Sequence, residues 1–132
     1  MNISDPIADY LTRIRNAVQA GHDTVLVPYS NLKAEISRIL KREGYLRDVE
    51  VSGTTPKQVI KITLKYGQDR ESVITGLRRV SRPGLRKYVN ADDVPRVLGG
   101  MGIALLTTSR GILTDREARS SRTGGEVLCQ IW

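Results

Sequence analysis

The first apolar pattern along the chain has the period of a helix. Four apolar residues recur at spacings of four, three and four: Ile7, Leu11, Ile14 and Val18. This spacing places their side chains on one face and predicts an amphipathic helix. Asp5 is suited to cap the start of this helix, Pro6 fits its first turn, and Gly21 is suited to end it.

A second helix and three strands complete an N-terminal lobe. Ser30 or Asn31 is suited to cap the second helix, and Gly44 is suited to end it. Three segments have strand-like patterns: residues 24–27, 45–51 and 58–66. The order helix, strand, helix, strand, strand predicts an α/β lobe over residues 1–66.

The chain after residue 66 has a different character, with short apolar runs and frequent turns. Four further strands are predicted: residues 73–80, 86–90, 103–108 and 126–132. Thr114 and Glu117 have the spacing of a capping box and predict a short helix. The sequence therefore predicts an α+β fold of two small lobes, in which residues 67–132 form a mainly β lobe with short helices.

The charge balance favours a polyanionic partner. The chain has 21 Lys and Arg residues against 14 Asp and Glu residues, which gives a formal net charge of +7. A basic surface of this size is typical of nucleic-acid binding, although it also serves solubility.

Other classes of protein fit the composition poorly. One Cys and one His exclude an internal disulfide and a structural zinc site, and they favour a reducing compartment. The most apolar stretch, residues 97–106, is too short to cross a bilayer. We therefore expect a cytoplasmic protein with no cofactor, no membrane partner and no small-molecule substrate.

A cluster of basic residues spans two predicted strands and the turn between them. The cluster contains five cations and no acid: Arg78, Arg79, Arg82, Arg86 and Lys87. Tyr88 follows at once, and a base can stack on its ring while neighbouring cations hold phosphates. The alternative is a basic edge strand that prevents aggregation. We favour RNA binding because of the net charge.

Two further groups near strand ends could contact RNA. The first is a run of hydroxyls with a cation and a glycine: Thr107, Thr108, Ser109, Arg110 and Gly111. Hydroxyls bond phosphate oxygens and base edges, but they are also common in a strand-to-helix turn. The second group is Gly124, Gly125 and Glu126, where glycine permits close approach and the carboxylate can accept from a base amino group. A simple hairpin turn explains the two glycines equally well.

Enzyme chemistry has little support in the sequence. His22 stands beside Asp23, and no serine lies in a G-x-S-x-G elbow. The glycines at 99–102 lack the Lys and hydroxyl of a phosphate-binding loop. A small α/β enzyme and a regulatory module that binds RNA or DNA remain as alternatives.

Several segments together resemble the bacterial small-subunit ribosomal protein eight family. These segments are residues 5–17, 40–45, 79–86, 102–118 and 124–132. The resemblance covers nearly the whole chain and implies an α/β lobe followed by a mainly β lobe. It also implies a structural constituent of the small ribosomal subunit that binds the central domain of its RNA early in assembly, beside neighbouring ribosomal proteins. Some members repress translation of their own operon messenger.

The resemblance also assigns contact residues. It implies RNA contacts at Thr107, Thr108, Ser109 and Gly111, flanked by Tyr88 and Glu126. In the N-terminal lobe it implies a second RNA contact, for which the candidates are Ser30, Asn31 and Lys33. Thr107 stands where the family usually has Ser, so its methyl group can tighten the fit, and Arg82 stands where Lys is common.

Overall fold

The computed structural model describes residues 5–132, which form two compact units. One unit is Ile7–Thr75, and the other is Gly76–Trp132 together with Asp5 and Pro6. Helices and an antiparallel sheet dominate the first unit, and a sheet with short helices dominates the second. The predicted α+β fold class is confirmed. The predicted boundary between the lobes at residue 66 stays a prediction. The two compact units divide the chain between Thr75 and Gly76.

The N-terminal unit has the predicted order of elements. Its elements are α1 Pro6–Ala20, β1 Thr24–Pro28, α2 Asn31–Arg42, β2 Leu46–Ser52 and β3 Val59–Leu64. The strands form an antiparallel sheet in the order β1-β3-β2. Both helices and one face of the sheet bury aliphatic side chains, among them Leu11, Ile14, Ile36, Leu40, Ile60 and Ile62. The periodicity of residues 7–18 therefore predicted the part of this core that lies on α1.

The C-terminal unit is a five-stranded antiparallel sheet with short helices. Its elements are β4 Leu77–Arg79, β5 Tyr88–Val89, β6 Ile103–Thr108, β7 Gly111–Thr114, α3 Asp115–Ser120 and β8 Gly125–Ile131, with 3-10 turns at Ala91–Asp93 and Leu98–Gly100. The strand order is β4-β8-β6-β7, and β5 also pairs with β8. One face of the sheet packs a buried cluster that contains Ala104, Leu106, Ala118 and Val127.

The observed strands of this unit differ from the predicted ones in extent and in number, and the strand expected over 86–90 is only Tyr88–Val89. The strand expected over 73–80 is reduced to Leu77–Arg79. Gly76 lies so close to the Trp132 ring that an added Cβ would collide with it, and Ile74 N–H donates to the Ser72 hydroxyl at 3.1 Å. A strand that was not predicted, β7, follows the hydroxyl run and pairs with β6.

Short helix α3 begins as the sequence predicts. The Thr114 hydroxyl accepts from the Glu117 N–H at 3.2 Å, and the Glu117 carboxylate accepts from the Thr114 N–H at 3.0 Å. The Asp115 carboxylate accepts from the Ala104 N–H of β6 at 3.1 Å and from the Arg119 guanidinium at 2.7 Å. These bonds hold α3 against the sheet.

Cys129 is a buried residue of β8. Burial raises the pKa of its thiol to about 12, because the surroundings disfavour the thiolate. The thiol therefore stays protonated and acts as a small apolar side chain of the sheet.

Candidate nucleic-acid interface

Three predicted site residues form a row across neighbouring strands of the C-terminal sheet. Tyr88 of β5 lies opposite Glu126 of β8, and Glu126 lies opposite Thr107 of β6. Directly opposed residues of antiparallel strands project from the same face, with Cβ atoms about 5 Å apart. Tyr88 is 69% exposed, Thr107 is half-buried, and Glu126 is only 6% exposed. The fold therefore brings a ring, a carboxylate and a hydroxyl together, and we call these residues the β5–β8–β6 row.

A β-bulge places Glu126 in this row. Leu105 pairs with Cys129, whereas Leu106 pairs with Val127, so Leu128 is an extra residue on β8. Strict alternation would put Val127, rather than Glu126, on the same face as Cys129. Because of the bulge, Val127 instead packs in the core of the opposite face. The position of the Glu126 carboxylate is thus a product of strand register.

The hydroxyl run ends at the tip of a β-hairpin. Thr108 pairs with Gly111, and Ser109 and Arg110 form the exposed loop between β6 and β7. Gly111 has a φ of 95°, in the left-handed region where a residue without Cβ is favoured. We call residues 108–111 the hairpin tip.

The three hydroxyls of the run have different surroundings. Thr108 Oγ1 donates to the Gly111 carbonyl at 2.8 Å and accepts from the Arg110 N–H at 3.0 Å. Its hydrogen-bonding capacity is thus largely used inside the tip. Within residues 5–132 the hydroxyls of Thr107 and Ser109 form no such bond, and Ser109 is exposed. The turn alternative therefore accounts for Thr108, but the turn joins two strands and not a strand to a helix.

Gly124 and Gly125 are required by close packing of strands. A Cβ on Gly125 would collide with the Thr107 carbonyl, and a Cβ on Gly124 would collide with the Val89 carbonyl. Glycine at these positions therefore lets β8 approach both β6 and the segment after β5. The glycines lie at and just before the start of β8, and they do not form the hairpin turn considered as an alternative.

The two strands predicted to carry the cluster of basic residues do not form a hairpin. Both β4 and β5 pair with β8 at successive positions along it, β4 with residues 129–131 and β5 with residues 125–126, so they do not pair with each other. The chain between them leaves the sheet edge and returns through a tight turn in which Arg82 and Leu85 exchange backbone hydrogen bonds of 3.0 and 2.9 Å. We call residues 82–87 the basic loop.

Ser81 fixes the base of the basic loop, and the sequence analysis did not single it out as a functional residue. Ser81 is fully buried, and its hydroxyl accepts from the Lys87 N–H at 2.8 Å. The Ser81 N–H donates to Val127 O at 3.1 Å, and the Val127 N–H donates to Lys87 O at 2.9 Å. A serine next to a Pro-Gly turn was the available signal, but its burial could not be derived from the sequence.

The cations of the predicted cluster divide into paired and exposed side chains. Arg79 is nearly buried, bonds the Asp5 carboxylate at 3.1 Å and donates to Leu128 O at 2.7 Å, so it is a structural residue. Arg86 is half-exposed and lies 3.2 Å from the Glu126 carboxylate. Arg82 and Lys87 are exposed on the basic loop, and in the part of the chain that the structure describes neither forms an ion pair.

The N-terminal candidates lie at the start of α2, in the other compact unit. The Ser30 hydroxyl accepts from the Lys33 N–H at 3.1 Å and caps the helix. The Asn31 side-chain oxygen accepts from the Tyr29 hydroxyl at 2.6 Å, and Asn31 itself is exposed. Lys33 is only 6% exposed. Local structure thus uses most of the polar groups at this position.

The described residues offer neither a metal site nor a membrane-spanning helix. Within residues 5–132 there is no group of three His, Cys, Asp or Glu side chains that could hold a metal ion. In the same residues, none of the helices has the length and apolar character needed to cross a membrane.

Comparison with known proteins shows the family of the chain. A family model described as ribosomal protein S8 matches residues 5–132. The chain is 58% identical to the small ribosomal subunit protein uS8 of Lactobacillus helveticus, 59% identical to that of Desulfitobacterium hafniense and 61% identical to that of Rubrobacter xylanophilus. Each similarity covers 100% of both chains. The chain therefore belongs to the ribosomal protein S8 family.

Proposed function

We propose that the chain is a structural constituent of the small ribosomal subunit and binds small-subunit ribosomal RNA without catalysing a reaction. Membership of a ribosomal protein family and the names of the relatives support the first part. The net charge of +7 supports an RNA partner. The observation that carries the proposal is the β5–β8–β6 row, which combines an exposed aromatic ring with polar groups beside an exposed basic loop.

Each part of this surface has a distinct task in the proposed complex. Arg82, Lys87 and Arg110 attract phosphates, and each contact releases counterions. The Tyr88 ring stacks on an unpaired base, and such stacking tolerates any base. The hydroxyls of Thr107 and Ser109 contact 2′-hydroxyls or base edges in the wide minor groove, because the RNA major groove is too narrow for side chains.

The proposal extends to the target and to regulation. We infer from the family that the target is the central domain of the small-subunit RNA, that binding precedes the arrival of neighbouring ribosomal proteins, and that the start of α2 contacts a second RNA element through Ser30, Asn31 and Lys33. By the same reasoning, the chain represses its own operon messenger where that messenger imitates the RNA site. The site of action is then the cytoplasmic ribosome.

Chemical footprinting of the purified chain on naked small-subunit RNA tests the proposal. We expect protection of one hairpin region in the central domain, at protein concentrations too low to protect other regions. Uniform protection along the RNA would contradict specific binding. Lys57 is an exposed cation in the loop between β2 and β3, and the variant Lys57→Ala is the control for a general loss of charge.

The exposed cations of the basic loop can be tested by salt dependence. We expect Arg82→Ala and Lys87→Ala each to reduce the slope of log affinity against log salt concentration by about 1. Lys57→Ala should leave the slope unchanged. If Arg82→Ala and Lys87→Ala kept the wild-type slope, as Lys57→Ala should, the basic loop would not approach phosphate.

A further inference from the structure

Glu126 is an acid buried within a surface that we propose to face RNA. Its carboxylate is 7% exposed and receives the Arg86 guanidinium, whose Nη1 lies 3.2 Å from Oε2 and 3.4 Å from Oε1. The Arg86 side chain is 52% exposed. This ion pair thus links Glu126 of the β5–β8–β6 row to the basic loop.

A buried carboxylate in this position requires a specific chemical partner. An ionised carboxylate only accepts hydrogen bonds, and it repels phosphate. Its RNA partners are therefore donors, namely the amino and imino groups of bases or 2′-hydroxyls, and a cytosine amino group is a known partner of Glu in base recognition. The cation of Arg86 offsets the cost of holding this charge out of water.

Several contacts fix the direction of approach of Arg86. The basic loop that carries it is held at its base by the buried Ser81 hydroxyl and by two backbone bonds to Val127. Val127 is the neighbour of Glu126 on β8. The loop and the carboxylate are therefore held by the same strand, so Arg86 meets Glu126 in a defined geometry.

We propose that Arg86 is a positioning residue, which holds the Glu126 carboxylate as a fixed acceptor for an amino group of an RNA base. Glu126 then selects the base, and Arg86 contributes to base selection more than to phosphate attraction. The inference rests on the proposed function and deepens it. It separates Arg86 from Arg82 and Lys87, which lie on the same loop and which we expect to contact phosphates.

A double-mutant cycle measures the dependence of Glu126 on Arg86. The probe is a transcript of the small-subunit RNA central domain, and the variants are Arg86→Ala, Glu126→Ala and the double variant. We expect Glu126→Ala to weaken binding roughly five- to 150-fold. The double variant should bind as weakly as Glu126→Ala alone, because Arg86 acts through Glu126. Losses that multiply would assign Arg86 an independent contact and overturn the inference.

Interference mapping provides a readout that a merely structural role would not change. Transcripts contain sparse inosine in place of guanosine, purine riboside in place of adenosine, or a cytidine analogue without its amino group. The wild-type chain should show interference at an amino group within the footprint, and this signal should be lost with Glu126→Ala and weakened with Arg86→Ala. Arg86→Lys should restore part of it, while Lys87→Ala should keep it in full.

The outcomes distinguish this inference from the proposed function. If the wild-type chain does not bind the transcript specifically, both fail. If the chain binds specifically but Arg86→Ala leaves the interference signal intact, only the positioning role of Arg86 fails. Glu126→Gln, which keeps one oxygen acceptor and the side-chain shape, retains the comparison if Glu126→Ala unfolds.

Discussion

The hairpin tip and the start of α2 contain similar residues but expose them differently. Both regions have hydroxyls and a cation at the end of a regular element. At the start of α2, Ser30 caps its own helix and Lys33 is buried. At the hairpin tip, Thr108 closes the turn and thereby presents Ser109 and Arg110 to solvent. Residue type alone therefore does not make a binding surface, because local hydrogen bonds decide which groups stay available.

The largest expected effect comes from the glycine that allows β8 to approach β6. Gly125→Ala places a Cβ against the Thr107 carbonyl, and we expect a loss of about 1–3 kcal/mol in the free energy of unfolding, together with loss of specific RNA binding. Gly84→Ala is the matched control for stability, since its Cβ would meet no atom within 4 Å. Urea unfolding checks both variants, and RNA titration checks Gly125→Ala.

The thiol of Cys129 reports on the same region of the sheet. At pH 8 the native thiol, with its pKa raised to about 12 by burial, should resist a thiol reagent, and unfolding should release it. Gly125→Ala should react faster than wild type, whereas Gly84→Ala should not. Equal rates for the two variants would contradict the packing role assigned to Gly125.

Tyr88→Ala should affect binding without affecting stability. The ring is 69% exposed, so its removal costs little packing, while loss of a stacked base weakens binding by about 1–3 kcal/mol. Tyr88→Phe keeps the ring and should retain most of the affinity. Similar affinities for the Ala and Phe variants would argue against stacking at this position.

The hydroxyls of the hairpin tip should separate binding from folding. Ser109→Ala should weaken RNA binding by about 1 kcal/mol and leave unfolding unchanged, because this hydroxyl is exposed. Thr108→Val should weaken RNA binding too, and it should also lower the free energy of unfolding by about 1 kcal/mol, since it removes two bonds within the turn. A purely structural effect of both variants would remove the tip from the proposed interface.

The start of α2 provides the smallest and most diagnostic effect. Ser30→Ala removes the cap and should cost about 1 kcal/mol of stability, whereas Ser30→Asp keeps it. If this end of α2 approaches phosphate, Ser30→Asp should weaken RNA binding by repulsion at unchanged stability. Wild-type affinity of Ser30→Asp would limit the RNA contacts to the C-terminal unit.

Local chemistry allowed much of the fold to be predicted from the sequence. The four-three-four spacing in α1, the cap at Ser30 and the box formed by Thr114 and Glu117 each depend on neighbours within one or two turns. Such features depend on residues that are close together along the chain, so the sequence is sufficient to predict them. The short strands Leu77–Arg79 and Tyr88–Val89 were less predictable, since both depend on β8 for their pairing.

By itself, the sequence determined the basic charge, the α+β class and the residue types of the candidate interface. The tertiary structure alone decided that Arg79 is structural, that Arg86 meets Glu126 and that β4 and β5 do not pair. The extra residue Leu128 in β8 places Glu126 opposite Thr107 and Val127 in the core. Register and side-chain pairing join residues that are distant along the chain, and no pattern of neighbouring residues records which of these partners will meet.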